Sequence, residues 1–275
     1  MSMSDKAGTA TIADLLEIMQ KLRDPETGCP WDVAQTFDTI APYTIEESYE
    51  VDEAIRAGDM VSLKDELGDL LFQVVFHGQM ATEAGHFTFH EIVDGVCDKM
   101  IRRHPHVFGD ASIEDADAQT SAWEVQKAKE RAQKAAARGE APSVLDGVTV
   151  GLPALLRAIK LQNRAARVGF DWPETLAVLD KMQEESRELV AEYRAGADEE
   201  RLKDELGDLL FVVANLARHI KIDPEEALRG TNAKFERRFH RIEALLREKG
   251  KTPDRATLEE MDALWDQAKL EEKAD

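Results

Sequence analysis

Carboxylates at helical spacing are the residues in this sequence best placed to do chemistry. Glu66 and Asp69 stand three apart, as do Glu205 and Asp208. Both pairs lie in one nine-residue segment, KDELGDLLF, which occurs at 64–72 and again at 203–211. On a helix, residues three apart share a face. Each pair borders an apolar run, where a carboxylate without a partner is costly. Upstream of the first copy Glu47 and Glu50 repeat the spacing, and Glu185 and Glu188 do so upstream of the second. A short turn between the two helices makes them antiparallel neighbours, so four acids converge in each half. Four carboxylates at neutral pH repel one another unless cations sit between them. An oxygen-only set suits hard divalent ions, Mg²⁺ or Mn²⁺. Neither half has a His three residues after the relevant Glu, which argues against the Glu-x-x-His pairs of di-iron bundles. A single acid pair is commonly no more than a solvated helix start. Recurrence of the double pair in both halves favours a metal site.

Cations follow each acid set. Lys99, Arg102 and Arg103 form K-x-x-R-R in the first half; Lys234, Arg237 and Arg238 repeat it in the second. Metal ions together with Lys and Arg suit a polyphosphate, with Arg supplying a bidentate fork. Trp123 and Trp265 lie downstream, and each could stack on a base, although a core role is the better expectation for both.

The elements that must position these residues read as helices throughout, because no stretch sustains period-2 alternation. Ile12, Leu15, Leu16, Met19 and Leu22 give a helical face over 11–23. Pro25, Gly28 and Pro30 then break the chain. Thr44 and Glu47 have capping-box spacing, so a helix is expected to start after Pro42 and run to about Ala57. Gly58-Asp59 turns the chain into a helix over about 62–84, and further helices are expected at 89–103 and 118–137. In the second half the expected helices run from Pro173 (as first residue) to Arg194, from 199 to 221, and from Pro224 to Glu248, with a last one carrying Trp265. The duplication implies two homologous all-α helical-bundle domains, 10–135 and 151–272, joined by a Gly/Pro-bearing linker at 136–150. The Leu-Leu-Phe of each repeat is expected to face the core.

Composition narrows the function classes. Fifty-five acids against 35 bases give a net charge of −20, which argues against binding a nucleic-acid polymer. No apolar run approaches the ~18–20 residues of a membrane span, and the N-terminus lacks secretory-signal character. The two cysteines, Cys29 and Cys97, fit a reducing cytosol.

The segments GCPWDVAQTFDTIAPYTIEESYEV, KDELGDLLFQVVFHGQM and RRHPHVF in the first half closely resemble the MazG family of nucleoside triphosphate pyrophosphohydrolases in its two-domain form. So do GFDW, EESREL, KDELGDLLF and NAKFERRF in the second. The resemblance covers about residues 12–270. It implies hydrolysis of ribo- and deoxyribonucleoside triphosphates to the monophosphate and pyrophosphate with Mg²⁺, and a homodimer. The eight acids would hold metal, with Glu185, Glu188, Glu205 and Asp208 the catalytic set, and Glu184 or Glu46 would stand beside the attacking water. Aligning Glu185 with Glu47 puts Lys181 opposite Tyr43, and aligning Glu205 with Glu66 puts Arg201 opposite Ser62. The second half therefore has two extra cations, and it is expected to be the main catalytic site. Its nucleotide-side set comprises Lys181, Glu184, Arg201, Asp204, Lys234, Arg237, Arg238 and Trp265. The alternative is a regulatory, nucleotide-binding helical dimer with vestigial sites.

Overall fold

The structure, a computed structural model, describes residues 10–139 and 141–273. Residues 1–9, on which the expectation about a secretory signal rests, lie outside them. The described residues are helical, without strands. They divide into two compact units between Gln126 and Lys127.

In the first unit α1 (Ile12–Leu22) opens on a capping box in which Thr11 and Asp14 satisfy each other's backbone N–H. A short α2 (Pro30–Ala34) begins in the stretch expected to be broken, because Pro30 occupies its first turn, where a missing N–H costs nothing. α3 (Phe37–Ala57) starts one turn and more before the expected position. Thr36, not Thr44, is its N-cap, and it pairs reciprocally with Thr39. Pro42 lies inside the helix. Thr44 Oγ1 instead bonds His77 Nε2 at 3.0 Å. Gly58 at φ 67° ends α3 in the left-handed conformation that glycine adopts without a Cβ clash. Asp59 then caps α4 (Met60–Glu83) by accepting from the Val61 and Ser62 amides at 3.0 and 3.1 Å. α3 and α4 pack as a hairpin, with α1 and α5 (Phe89–Arg103) against α4. Met19, Ile40, Val75, Phe76 and Met80 form the core between them. α6 (Pro105–Phe108) and α7 (Ala116–Ala137) follow. The division between the units falls within α7, which runs on to Ala137.

The second unit repeats the hairpin. α8 (Ala154–Ala166) packs on α10 (Glu199–His219), and Gln162 Nε2 donates to the Phe211 carbonyl at 2.8 Å. α9 (Thr175–Ala195) starts after Pro173, which lies before the Glu174 cap and not at the first helical position. Gly196 (φ 71°) closes α9 and Asp198 caps α10. α11 (Pro224–Glu248) and α12 (Leu258–Glu271), joined through a 3-10 turn at Pro253–Arg255, share a core of Ile242, Leu245, Leu246 and Leu264.

The Leu-Leu-Phe expectation fails in part. Phe72 packs against the first core, but Leu71, Leu210 and Phe211 are exposed. With Leu67, Val74 and Leu206 they leave apolar stripes open along α4 and α10. Among the described residues no helix is long and apolar enough to cross a membrane.

Candidate functional site

The α9–α10 hairpin places Glu185 and Glu188 on one helix and Glu205 and Asp208 on the other. Oxygens of Glu185, Glu205 and Asp208 lie within 4.8 Å of one another, as do those of Glu184, Glu185 and Glu188. Glu185 and Glu205 are buried. A cavity of about 430 Å³ lies between the helices, lined by Lys181, Glu185, Glu188, Ala191, Glu192, Arg201, Glu205 and Asp208.

Two cations stand over this cluster. Lys181 Nζ reaches Glu184 Oε1 and Glu185 Oε1, each at 2.6 Å. Those hydrogen bonds, Glu184 first, hold its ammonium well above its ordinary pKa. Arg201 pairs with Glu205, with Glu192 through Nε at 3.0 Å and with Asp204 at 3.4 Å. Its charged form is favoured chiefly by the hydrogen bond to Glu192. Burial pushes the Glu205 carboxyl up; Arg201 opposes that, and Glu188 and Glu185 add to it.

The first unit brings together Glu47, Glu66 and Asp69, again with oxygens within 4.8 Å. Burial, then the Asp69 and Glu50 charges, raise the Glu47 carboxyl. Burial, then Glu50 and Asp69, raise Glu66. Glu50 therefore acts on this cluster although it is not one of its closest three. Among the described residues no Lys or Arg pairs with these four acids. Tyr43, at the position of Lys181, is exposed and meets Trp31 edge-on at 6.1 Å. Ser62, at the position of Arg201, bonds Asp59 at 2.9 Å.

The K-x-x-R-R residues are not drawn into either cluster by any ion pair among the described residues. At the end of α5 the Arg103 carbonyl accepts from Trp123 Nε1 at 2.9 Å, and the Arg102 carbonyl accepts from Gln126 at 3.3 Å. Lys99 is half-buried on the same helix. On α11, Arg238 pairs with Glu272 at 2.8 Å and lies 5.3 Å above the Trp265 ring, while Arg237 reaches Glu272 at 3.7 Å. Lys234 is exposed. Trp123 and Trp265 are both half-buried. Sequence reasoning missed Glu192, whose partner stands nine residues away across the hairpin.

The donor set fits a hard divalent cation. It offers only carboxylate oxygens, converging closely enough for one ion to touch several, and their mutual repulsion is relieved by positive charge. The MazG nucleotide pyrophosphohydrolase domain matches this chain twice, at 35–108 and 174–242, and each match contains one hairpin with its acids. The chain belongs to the MazG nucleotide pyrophosphohydrolase family. A nucleoside triphosphate pyrophosphohydrolase of Escherichia coli (strain K12) is 51% identical over 259 residues, covering 94% of this chain and 97% of that protein. A nucleoside triphosphate pyrophosphohydrolase/pyrophosphatase MazG of Thermotoga maritima is 41% identical over 256 residues, 93% of this chain and 94% of its own. The uncharacterized protein YabN of Bacillus subtilis is 43% identical over 93% of this chain but only 51% of its own length. Within the MazG family this chain is an enzyme with two copies of the acidic hairpin, and among the described residues the second has Lys181 and Arg201 paired with its acids while the first has no such pair.

Proposed function

We propose that the protein hydrolyses ribo- and deoxyribonucleoside triphosphates to the nucleoside monophosphate and pyrophosphate with Mg²⁺ or Mn²⁺, and that the second unit carries most of the reaction. The observation that supports the ranking is the pair Lys181 and Arg201 over Glu185 and Glu205, where the first unit has Tyr43 and Ser62. In this reading Glu185, Glu188, Glu205 and Asp208 hold the cation, and Glu47, Glu50, Glu66 and Asp69 are the first unit's counterpart. A bound divalent cation supplies Lewis acidity toward phosphoryl oxygens and water.

Water adds to the α-phosphorus, the bond from that phosphorus to the bridging oxygen breaks, and pyrophosphate leaves with the electron pair. Lys181 and Arg201 neutralise charge that builds on the leaving pyrophosphate. Glu184, shared by Lys181, stands beside the ligands where a water could be oriented. Asp204 holds one edge of Arg201. Lys234 and Trp265 belong to the nucleotide side with Arg237 and Arg238, which serve the nucleotide once their Glu272 pairs open, whereas Lys181 and Arg201 already line the cavity. Lys99, Arg102 and Arg103 are the equivalent set of the first unit.

The exposed stripes on α4 and α10, and a groove lined by Met182, Ser186, Leu209 and Val213, support a homodimer. The free cysteines Cys29 and Cys97 support a cytoplasmic location. The deciding experiment incubates the protein with a nucleoside triphosphate and Mg²⁺ and assays pyrophosphate against orthophosphate. Pyrophosphate release is expected to vanish in Glu185→Ala and to persist in Glu47→Ala. The reverse pattern overturns the ranking, and orthophosphate as the product overturns the reaction.

A further inference from the structure

We propose that Glu192 is a positioning residue for the hydrolysis: its carboxylate grips Arg201 through Nε and so holds the guanidinium at the wall of the cavity that takes the triphosphate. The inference rests on the reading that the second unit's cavity is the working site.

Arg201 lies in the first turn of α10, and its side chain is half exposed. Its other partners, Asp204 and Glu205, are on its own helix, three and four residues on. Among the described residues Glu192 is its partner on α9, and it crosses the hairpin to accept from Nε at 3.0 Å. Glu205 is also one of the oxygens placed to hold a cation. An oxygen committed to a cation is a poorer anchor for a guanidinium, so in the loaded site the grip of Glu192 gains weight. Gripping Nε fixes the guanidinium plane while Nη1 faces Asp204 and Nη2 faces Glu205, so the nitrogen that Glu205 releases to hold a cation stays directed at the cavity, where it can donate to a phosphate.

Two further observations favour positioning over incidental pairing. Glu192 adds a negative charge to a cavity that already holds Glu185, Glu188, Glu205 and Asp208. That charge opposes entry of a polyphosphate, so its presence there is unfavourable unless it organises a cation. In the first unit Ala54 stands where Glu192 would be, and Ser62 where Arg201 would be. Ala54 is buried and Ser62 bonds the Asp59 cap. The acid and the arginine are thus present together or absent together in the two copies of one hairpin.

The test uses the full chain and steady-state pyrophosphate release from a nucleoside triphosphate with Mg²⁺. Glu192→Ala is expected to lower kcat/KM about tenfold, the order of one charge-assisted hydrogen bond. Glu192→Gln, whose amide oxygen still accepts from Nε, is expected to recover most of it. In an Arg201→Ala background Glu192→Ala is expected to add nothing, because the group it positions is gone. An unchanged kcat/KM in Glu192→Ala overturns the proposal, and so does a loss that persists undiminished in the Arg201→Ala background. Thermal melts separate a mere hairpin brace, which would lower the Tm of Glu192→Ala while leaving kcat/KM unchanged at temperatures where both proteins are folded. If Glu185→Ala is inactive while Arg201→Ala keeps full activity, the site stands and the role of Glu192 falls. If Glu185→Ala is itself active, the reading of the site falls first.

Discussion

Replacing Lys181 by Met separates two duties of this cation. Its ammonium lies 2.6 Å from Glu185 Oε1, and Glu185 is only 5% exposed. Met keeps the length of the stem and removes the charge, leaving a buried carboxylate facing Glu184 and Glu188. Breaking a fully buried pair costs about 3–5 kcal/mol. The Lys181 side chain is 31% exposed, and solvent screening discounts the figure to about 1–2 kcal/mol. For a unit of this size each kcal/mol moves Tm by about 2–4 °C, so the second unit is expected to melt about 2–8 °C lower in EDTA. A divalent cation bound by the same acids supplies the missing positive charge. Titrating Mg²⁺ into Lys181→Met should therefore raise its Tm by more than it raises the parent's. Activity at saturating Mg²⁺ should still fall, since the duty toward phosphate is not replaced. Differential scanning calorimetry in EDTA and across a Mg²⁺ series reads both effects. A Tm in EDTA equal to or above that of the parent refutes the claim that Lys181 compensates Glu185. Equal Mg²⁺-dependent gains in the two proteins refute the claim that the ion and the ammonium relieve the same repulsion.

Two other perturbations follow from the packing. Burial holds the His77 imidazole below its ordinary pKa of 6.5; it stacks on Phe37 and bonds Thr44. The unfolded chain then binds this proton more readily than the folded one, so the first unit loses stability as pH falls through about 6.5 toward the depressed value. His77→Leu, the residue that Leu216 supplies in the second copy, should flatten that loss. Hydrogen exchange of α4 amides between pH 5 and 7 measures it, and an unchanged pH slope removes His77 as the cause. Leu210, exposed on α10, should seat against a second copy. Leu210→Glu is expected to reduce the mass seen by light scattering to the 30.8 kDa of one chain. A mass unaffected by the charge places any dimer contact elsewhere.

Much of the hairpin pair was legible because identical KDELGDLLF copies mark it and apolar residues recur at helical period. The start of α3 was not, because two capping signals compete. Thr44-x-x-Glu47 has the right spacing, yet Thr36 wins. Starting there lets α3 bury Ile40 in the core, which offsets the hydrogen bond that Pro42, inside the helix, cannot donate. α2 escaped because Pro30 reads as a breaker, although proline is favourable in a first helical turn. The Leu-Leu-Phe expectation failed for a different reason. Periodicity reports that Leu71, Leu210 and Phe211 are apolar, but it cannot report what covers them.

At the site, the acids were visible because each pair is local, three residues apart on one helix. Lys181 and Arg201 became visible only when the two halves were set against each other, since each lies four residues before its glutamate. Glu192 stayed hidden for a related reason. It is one of 55 acids, and its partner lies across the Gly196 turn, so the contact has a spacing set by the hairpin and not by one helix. The duplication sharpens this. Both copies keep the acids, and each acid set is buried enough that burial is the first cause raising Glu47, Glu66 and Glu205. A hairpin that carries such a set needs positive charge from somewhere. The second copy draws part of it from Lys181 and Arg201, whereas the first, with Tyr43 and Ser62, has no cation of its own paired to the cluster among the described residues. The two hairpins can therefore bind the same kind of ion and still differ in how readily a triphosphate approaches it.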